Sequence, residues 1–181
     1  MTDDGTLPDD DPAAFLDDVA RAVAESGRDV TLDPVQLTLD VGDADGIRVL
    51  VVVRPVARAV SLWAVLPDEV PAATRATVGE LVLRAADDQL GAVLELDLDR
   101  GTVSARHALL FGEEPLDAGV LTSLVGAALD EVEEVAARYA GAVADVAAGT
   151  IGPREAAAAV RTAQVEELTQ LLADVERTIG S

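Results

Sequence analysis

The chain has 181 residues, half of them hydrophobic but only 2% aromatic, and its 34 acidic residues outweigh 13 basic residues to give a net charge of -21. This length predicts one compact domain with a modest extension. The charge disfavours nucleic-acid and membrane-surface partners, and the absence of Cys excludes disulfides, zinc-thiolate sites and thiol nucleophiles.

The beginning of the chain is acidic and contains little apolar material. Such a composition cannot offset the entropy of ordering, so residues 1–12 are predicted to form a disordered acidic tail. This start also lacks the positive and then apolar run of a secretory signal, and the longest aliphatic run, residues 49–53, is too short to span a bilayer. The chain is therefore expected in the cytoplasm.

A helix and a strand are predicted next. Apolar residues recur at three- and four-residue spacing over residues 13–26, and Gly27 stands where a helix would stop. Strict alternation over residues 35–41 then predicts a half-buried strand. The segment DADG at 43–46 predicts a turn, because it lacks the flanking carboxylates that a calcium loop requires.

Two further strands and a second helix follow. Residues 47–55 and 59–67 are both rich in β-branched residues and bounded by Pro, so they predict the second and third strands. The single Trp63 on the third strand is expected to pack in the core, and a ligand platform is the alternative. An apolar stripe predicts a helix over residues 71–90, with Pro71 in its first turn.

The next stretch, residues 93–112, predicts a hairpin and holds the densest set of candidate chemical groups, namely Glu95, Asp97, Asp99 and His107. With Arg100 and Gly101 at the tip, Leu98 would face Val103, Glu95 would lie opposite Arg106, and the three carboxylates would form an outward row. They are therefore interpreted as a solvated face with Arg106 as an exposed partner, not as a metal or acid-base site.

The lone His107 is interpreted as a partly buried hairpin residue. A general base needs a nucleophile or an orienting carboxylate, and no Ser-centred elbow motif occurs in the chain. No glycine cluster has the form of a nucleotide-binding loop. No catalytic, cofactor-binding or metal residue is predicted, and no cofactor is expected.

Two helices are predicted at the end of the chain, a long one closed by Gly149 and a last one over residues 153–179 beginning at Pro153. The last helix carries an apolar seam at heptad spacing, formed by Val165, Leu168, Leu172, Val175 and Ile179. A helix of this length is marginal alone, so the seam is expected to dock on something. A second copy of the chain is favoured, and folding back on its own domain is the alternative.

Several stretches together resemble a known family. The segment RVLVVVRPVARAVSLWAVLPDEVP, a helix ending in DDQLG, the hairpin LELDLDRGTVSARHALLF and a long helix closing at VAAG resemble the YbjN-domain family of bacterial sensory-transduction regulators. The resemblance covers roughly residues 13–149 and leaves 150–181 as a C-terminal helical extension. It implies a fold similar to that of type III secretion chaperones, and it brings no catalytic residue.

The predicted fold class is α+β, with an antiparallel sheet of about five strands packed on helices. The predicted order is helix, three strands, helix, two strands and helix, plus the extra C-terminal helix. The favoured function is a non-enzymatic protein-binding module, chaperone-like or a regulatory adaptor, that forms a homodimer and holds a partner polypeptide. The alternatives are a small-ligand or enzymatic domain using acidic residues in a cleft, and a structural subunit of a larger complex. Acidic side chains converging with His107 would favour an enzyme, and an exposed apolar groove would favour a binder.

Overall fold

The computed structural model describes residues 12–44, 46–112, 114 and 116–179, which contain six strands and four α-helices. In chain order they are α1 (Pro12–Glu25), β1 (Val30–Asp33), β2 (Thr38–Ala44), β3 (Ile47–Arg54), β4 (Ala59–Val65), α2 (Arg75–Ala85), β5 (Val93–Leu96), β6 (Val103–Leu110), α3 (Ala118–Ala148) and α4 (Pro153–Ile179). The predicted tail lies outside the described residues except for Pro12, which begins α1. Asp45 of the predicted DADG turn also lies outside them.

All six strands form one antiparallel sheet in the order β1-β2-β3-β4-β6-β5. The predicted α+β class is therefore confirmed. Residues alternate between buried and more exposed along β3, with Ile47, Val49, Val51 and Val53 on the buried face. Helices α1, α2 and α3 contribute to the core on the buried side, and α3 packs on β3, β4, β5 and β6.

The core is built from small and medium side chains, because the chain contains few aromatic residues. Its largest fully buried side chain is Tyr139 of α3, and the others are Leu and Val. Burial, followed by the negative charge of Asp88, raises the pKa of the Tyr139 phenol. Helix α3 is capped at its start by Asp117, whose carboxylate accepts the N–H of Gly119 at 2.9 Å, and at its end by Gly149, which has a left-handed φ of 74°.

The sheet has one strand more than predicted, because Val30–Asp33 forms an edge strand paired with β2. The predicted first strand was also wrong at its start. Val35 is exposed in a turn, Leu37 has a positive φ of 56°, and β2 begins only at Thr38. The Asp33 carboxylate accepts the N–H of Val35 at 2.9 Å and of the next residue at 3.0 Å, which stabilises the turn instead of a continuous strand.

The second helix is shorter than the predicted 71–90. Pro71 precedes it in a turn, α2 spans Arg75–Ala85, and residues 86–88 form one 3-10 turn. Leu90 is fully exposed, so it does not extend the apolar stripe. The prediction that Pro71 occupies the first helical turn was therefore wrong.

The β5–β6 hairpin has a longer loop than predicted. Leu96, not Leu98, lies opposite Val103, and Leu94 lies opposite Ala105. The register therefore differs by two residues from the predicted one. A shift by two keeps every side chain on its predicted face, so the hydrophobic pattern alone could not distinguish the two registers.

Asp97 explains the longer loop, because its side chain forms a turn instead of extending the strand. Its carboxylate accepts the N–H of Asp99 at 2.9 Å and of Arg100 at 3.0 Å. The loop closes through a hydrogen bond from the Gly101 N–H to the Asp97 carbonyl oxygen at 2.7 Å, and Gly101 has a φ of 86°. Aspartate favours such turns because its side chain can accept local backbone N–H groups.

Arg75 at the start of α2 holds this loop against the domain. Its guanidinium donates to four carbonyl oxygens, those of Val70 (3.1 Å), Leu98 (3.0 Å), Asp99 (2.8 Å) and Arg100 (2.9 Å). A planar guanidinium with five donors is suited to collecting several carbonyls at once. One side chain therefore joins α2 to the β5–β6 hairpin.

The first part of α4 packs on the domain through α2 and α3. Ala156 and Ala157 are buried in this contact, and Arg161 pairs with Asp88 at 3.0 Å. Small side chains let the helices approach closely, so this part of α4 belongs to the domain's packing. The predicted division of the chain at residue 150 remains a prediction.

We expect Arg75→Ala to lower the free energy of unfolding by about 2 kcal/mol, because four carbonyl groups lose a charged donor. Arg84→Ala is the matched control on the same helix. Arg84 makes only an exposed i,i+4 pair with Glu80, so its loss should cost less than about 0.5 kcal/mol. Urea unfolding of both variants measures the difference, and equal costs would contradict the proposed role of Arg75.

A second prediction concerns pH. Backbone hydrogen bonds from Arg100 and then Asp99 lower the pKa of the Asp97 carboxyl. Its contribution to stability is therefore present above the unfolded pKa of about 3.9 and is lost as pH falls through the folded pKa. Asp97→Asn should be less stable than wild type at neutral pH, and the gap should narrow below about pH 4.

Asp99→Asn, in the same loop, is the control for this titration. Acid unfolding followed by circular dichroism gives the stability gap at each pH for both variants. A gap between wild type and Asp97→Asn that stays constant down to about pH 2 would show that the ionised carboxylate adds nothing.

Candidate functional site

The sheet face opposite the helices carries an apolar groove. We call this surface the open face and define it by Leu50, Val52, Trp63 and Val65, whose side chains are all partly exposed. The registers of β3 and β4 place these four residues on the same side of the sheet, since Leu50 pairs with Trp63. The groove has a volume of about 710 Å³. An antiparallel sheet with one solvated face normally presents polar residues there, so this apolar floor is unusual.

Charged residues of both signs surround this groove. Arg48 pairs with Asp40 and Arg106 pairs with Glu95, while Arg100 lies 3.3 Å from Asp97. The Arg48 guanidinium lowers the pKa of the Asp40 carboxyl. The predicted contact between Glu95 and Arg106 is confirmed, although the residue directly opposite Arg106 is Val93.

A fourth cation lies on the same face. Arg54 is exposed, and its guanidinium donates to the Oγ of Ser61 at 2.8 Å. Four arginines and three carboxylates thus surround the apolar floor, whereas the whole chain carries a net charge of -21. The open face is therefore free of the acidic excess found elsewhere in the sequence.

The prediction that Trp63 packs in the core was wrong. Trp63 lies on the open face, opposite Leu50 on one side and Arg106 on the other. The alternation of β4 does not reveal which side helices cover, because both faces of this strand are apolar. Apolar residues on both faces of β4 were the available signal that its second face is not an ordinary polar one.

His107 has a carboxylate partner that the sequence did not reveal. Its Nδ1 lies 2.8 Å from Oε2 of Glu131 on α3, and the imidazole is mostly buried between sheet and helix. The sequence contains no motif that pairs His107 with a carboxylate. The expectation that it is a partly buried hairpin residue is confirmed.

Glu131 is also engaged by the backbone. Its Oε1 accepts the N–H of buried Ala92 at 2.9 Å, and a Cβ at Gly91 would lie only 2.4 Å from its Oε2. The carboxylate therefore has a structural task, joining α3 to the start of β5 as well as to His107. One carboxylate shared in this way does not form a pair of acidic groups with separate acid and base roles.

Neither a metal centre nor a membrane span is found in the part of the chain that the structure describes. No group of three or more His, Cys, Asp or Glu side chains is arranged there to hold a metal ion. The carboxylates predicted to form one outward row have separate partners, since Glu95 meets Arg106 and Asp97 forms a turn. None of the described helices is both long and apolar enough to cross a bilayer.

The second candidate surface is the far half of α4. The five predicted contact residues, Val165, Leu168, Leu172, Val175 and Ile179, are all exposed, and we call them the distal seam. Leu171 beside the seam is also exposed. Within one chain α4 folds back only as far as its first turns, where Ala156 and Ala157 are buried. Folding of α4 back on its own domain therefore leaves the distal seam exposed.

Comparison with known proteins gives a fold likeness only. No protein-family model matches the chain, and no curated protein matches its sequence. Among solved structures, YbjN from E. coli, a proposed transcription regulator, matches with a TM-score of 0.49 and 14% identity over 66% of this chain and 87% of that one. The HopA1-SchA chaperone-effector complex matches with a TM-score of 0.40 and 15% identity over 67% and 90%. The resemblance to the YbjN-domain family stated from the sequence thus recurs among solved structures as a likeness in fold.

We expect Glu131→Ala to lower the free energy of unfolding by about 1–3 kcal/mol, because the buried Ala92 N–H loses its acceptor. Glu131→Gln keeps an acceptor oxygen and should cost less. Glu134→Ala is the control on the same helix, since its side chain is exposed and pairs only with Arg138. That variant should cost less than about 1 kcal/mol. Thermal and urea unfolding give these values, and equal losses for both alanine variants would refute the assignment.

Proposed function

We propose that this chain is a non-enzymatic protein-binding module, a chaperone-like or regulatory adaptor that holds a segment of a partner polypeptide in the cytoplasm. The observation that supports this proposal is the open face, with its apolar groove between ion-paired rims. Contiguous exposed apolar surface bordered by polar residues is typical of protein interaction sites. An exposed apolar groove is also the feature that, from the sequence, was expected to favour a binding module over an enzyme.

The chemistry of the groove suits a particular kind of segment. Apolar side chains of the partner would cover Val52 and Trp63, where burial contributes about 25 cal/mol per Å². A carboxylate of the partner beside these apolar side chains would face Arg54, whose guanidinium donates a hydrogen bond to the neutral Ser61 hydroxyl. The ion pairs around the floor would then fix orientation more than affinity. The preferred segment therefore combines apolar residues with at least one acidic residue.

A small-ligand or enzymatic domain is less well supported. It would need two or more carboxylates converging with His107 in a cleft, and Glu131 is the one that contacts the ring. Glu131 is also committed to the Ala92 N–H. A structural subunit of a larger complex would use the same open face, but as a permanent contact.

We also propose that two copies of the chain form a homodimer through the distal seam. Six large apolar side chains on one half-helix are exposed to water in the single chain. A second copy would bury them without competing for the open face, because α4 packs on α2 and α3 on the other side of the sheet. Partner capture and dimerisation are therefore separable properties.

Capture of partners from the native host tests the proposed function. Wild type and Val52→Asp are immobilised and the retained proteins are identified. Val56→Asp is the matched control, because Val56 is exposed outside the open face. We expect Val52→Asp to lose partners that both wild type and Val56→Asp retain, since a carboxylate in the groove floor must be desolvated on binding. A circular dichroism melt confirms that both variants fold.

Fluorescence then checks that binding occurs at the open face. Trp63 is the only Trp of the chain and lines the groove, so its emission reports on occupancy. Purified segments of each captured protein are titrated into the chain. A saturable emission change is expected, and it should disappear in Val52→Asp. Partners retained equally by both Asp variants, without any change in emission, would contradict the proposal.

A further inference from the structure

The distal seam of α4 faces a different direction from the part of the helix that packs on the domain. Buried Ala156 and Ala157 and partly buried Val160 mark the docked side. At about 100° per residue, the centre of the distal seam lies about 90° around the helix from the centre of that side. The seam is therefore not a continuation of the docked surface, and it needs a partner of its own.

The residues that flank the seam indicate what this partner is. In heptad terms Val165 and Leu172 occupy a positions, and Leu168 and Val175 occupy d positions. The flanking e and g positions are Gln164, Thr169, Leu171, Glu176 and Thr178. Four of these five are uncharged, although the chain is strongly acidic. Charged flanks select a partner of opposite charge, whereas uncharged flanks permit a second copy of an acidic chain.

Three of the four acidic residues among residues 165–179 lie away from the contact. Glu166, Glu167 and Asp174 occupy b and c positions, outside the seam and its flanks. Two copies can therefore bring their seams together without placing these carboxylates directly opposite one another. The contact itself therefore adds no close pair of these carboxylates to the general repulsion between two chains of net charge -21.

We infer that the distal seams of two copies pair antiparallel, with the two-fold axis between Leu168 and Leu172. This inference deepens the proposed homodimer by assigning its contact and its orientation. Each Leu168 then packs on Leu172 of the second copy, and each Val165 packs on Val175 of the second copy. An interface of this kind is isologous, because the same surface serves both subunits.

Leu171 decides the orientation. In the antiparallel arrangement the two g-position Leu171 side chains meet across the axis, so a further exposed apolar residue becomes buried. In a parallel arrangement, where g positions face e positions of the other helix, Leu171 would face Glu176 of the second copy. The antiparallel pair also places the two Val160 positions about 30 Å apart along the helices, which separates two strongly acidic domains.

Disulfide trapping tests this arrangement in the full chain, which has no native Cys. Val165→Cys and Val175→Cys are prepared as separate variants, oxidised alone and as a mixture. We expect a covalent dimer in the mixture and little in either variant alone. Two copies of residue 165 would lie about 15 Å apart, beyond the reach of a disulfide. Self-crosslinking of each single variant would instead show a parallel pair and overturn the inference.

Light scattering measures the dimer itself. Leu172→Glu should raise its dissociation constant at least about 100-fold, because two carboxylates would be buried per dimer. Leu83→Glu is the control, since Leu83 is an exposed Leu on helix α2. A monomeric wild type, or a dimer unchanged by Leu172→Glu, would overturn the inference. Val52→Asp separates this result from partner capture, because it should abolish capture and leave the mass unchanged.

Discussion

The two central strands place apolar side chains on both faces of the sheet, and the helices cover only one of those faces. On β3, Val49 and Val51 are fully buried on the helix side, while Leu50 and Val52 lie on the other. Strands with this pattern normally occur in sheets that are covered on both sides. The remaining architecture depends on this asymmetry, since α1, α2 and α3 share one side and the groove lies on the other. The open face is thus a consequence of strand composition.

The net charge of -21 makes the two apolar surfaces distinctive. Acidic residues without nearby cations repel one another, and this repulsion weakens only as salt screens it. On the open face the carboxylates have arginine partners, as Asp40 has Arg48 and Glu95 has Arg106. On the distal seam the flanks are almost uncharged. The open face and the distal seam therefore both lack the acidic excess of the whole chain, and this coincidence supports contact roles for both.

The spacing of apolar residues along the sequence predicted the central strands, the long helix and the last helix, but it did not predict the turns between strands. The first strand and the β5–β6 register were wrong for the same reason. Asp33 and Asp97 each accept two backbone N–H groups, and those hydrogen bonds end a strand that apolar alternation would continue. The pair of His107 and Glu131 lay beyond any such pattern, because a strand and a helix 24 residues apart meet only in the folded chain. The residues of the distal seam could be identified from the sequence, because heptad spacing is a pattern within one helix.

The open face lies on β3 and β4 and the distal seam lies on α4, so the two proposed contacts use separate surfaces. Helix α4 packs on α2 and α3, and these helices cover the side of the sheet that faces away from Trp63. A dimer formed by the distal seam would therefore present two unobstructed open faces, one on each subunit. A partner with two suitable segments could then bind twice, and the second contact would benefit from a high effective concentration if its linker spans the two faces. Weak binding in a single groove would in this way give durable capture by the pair.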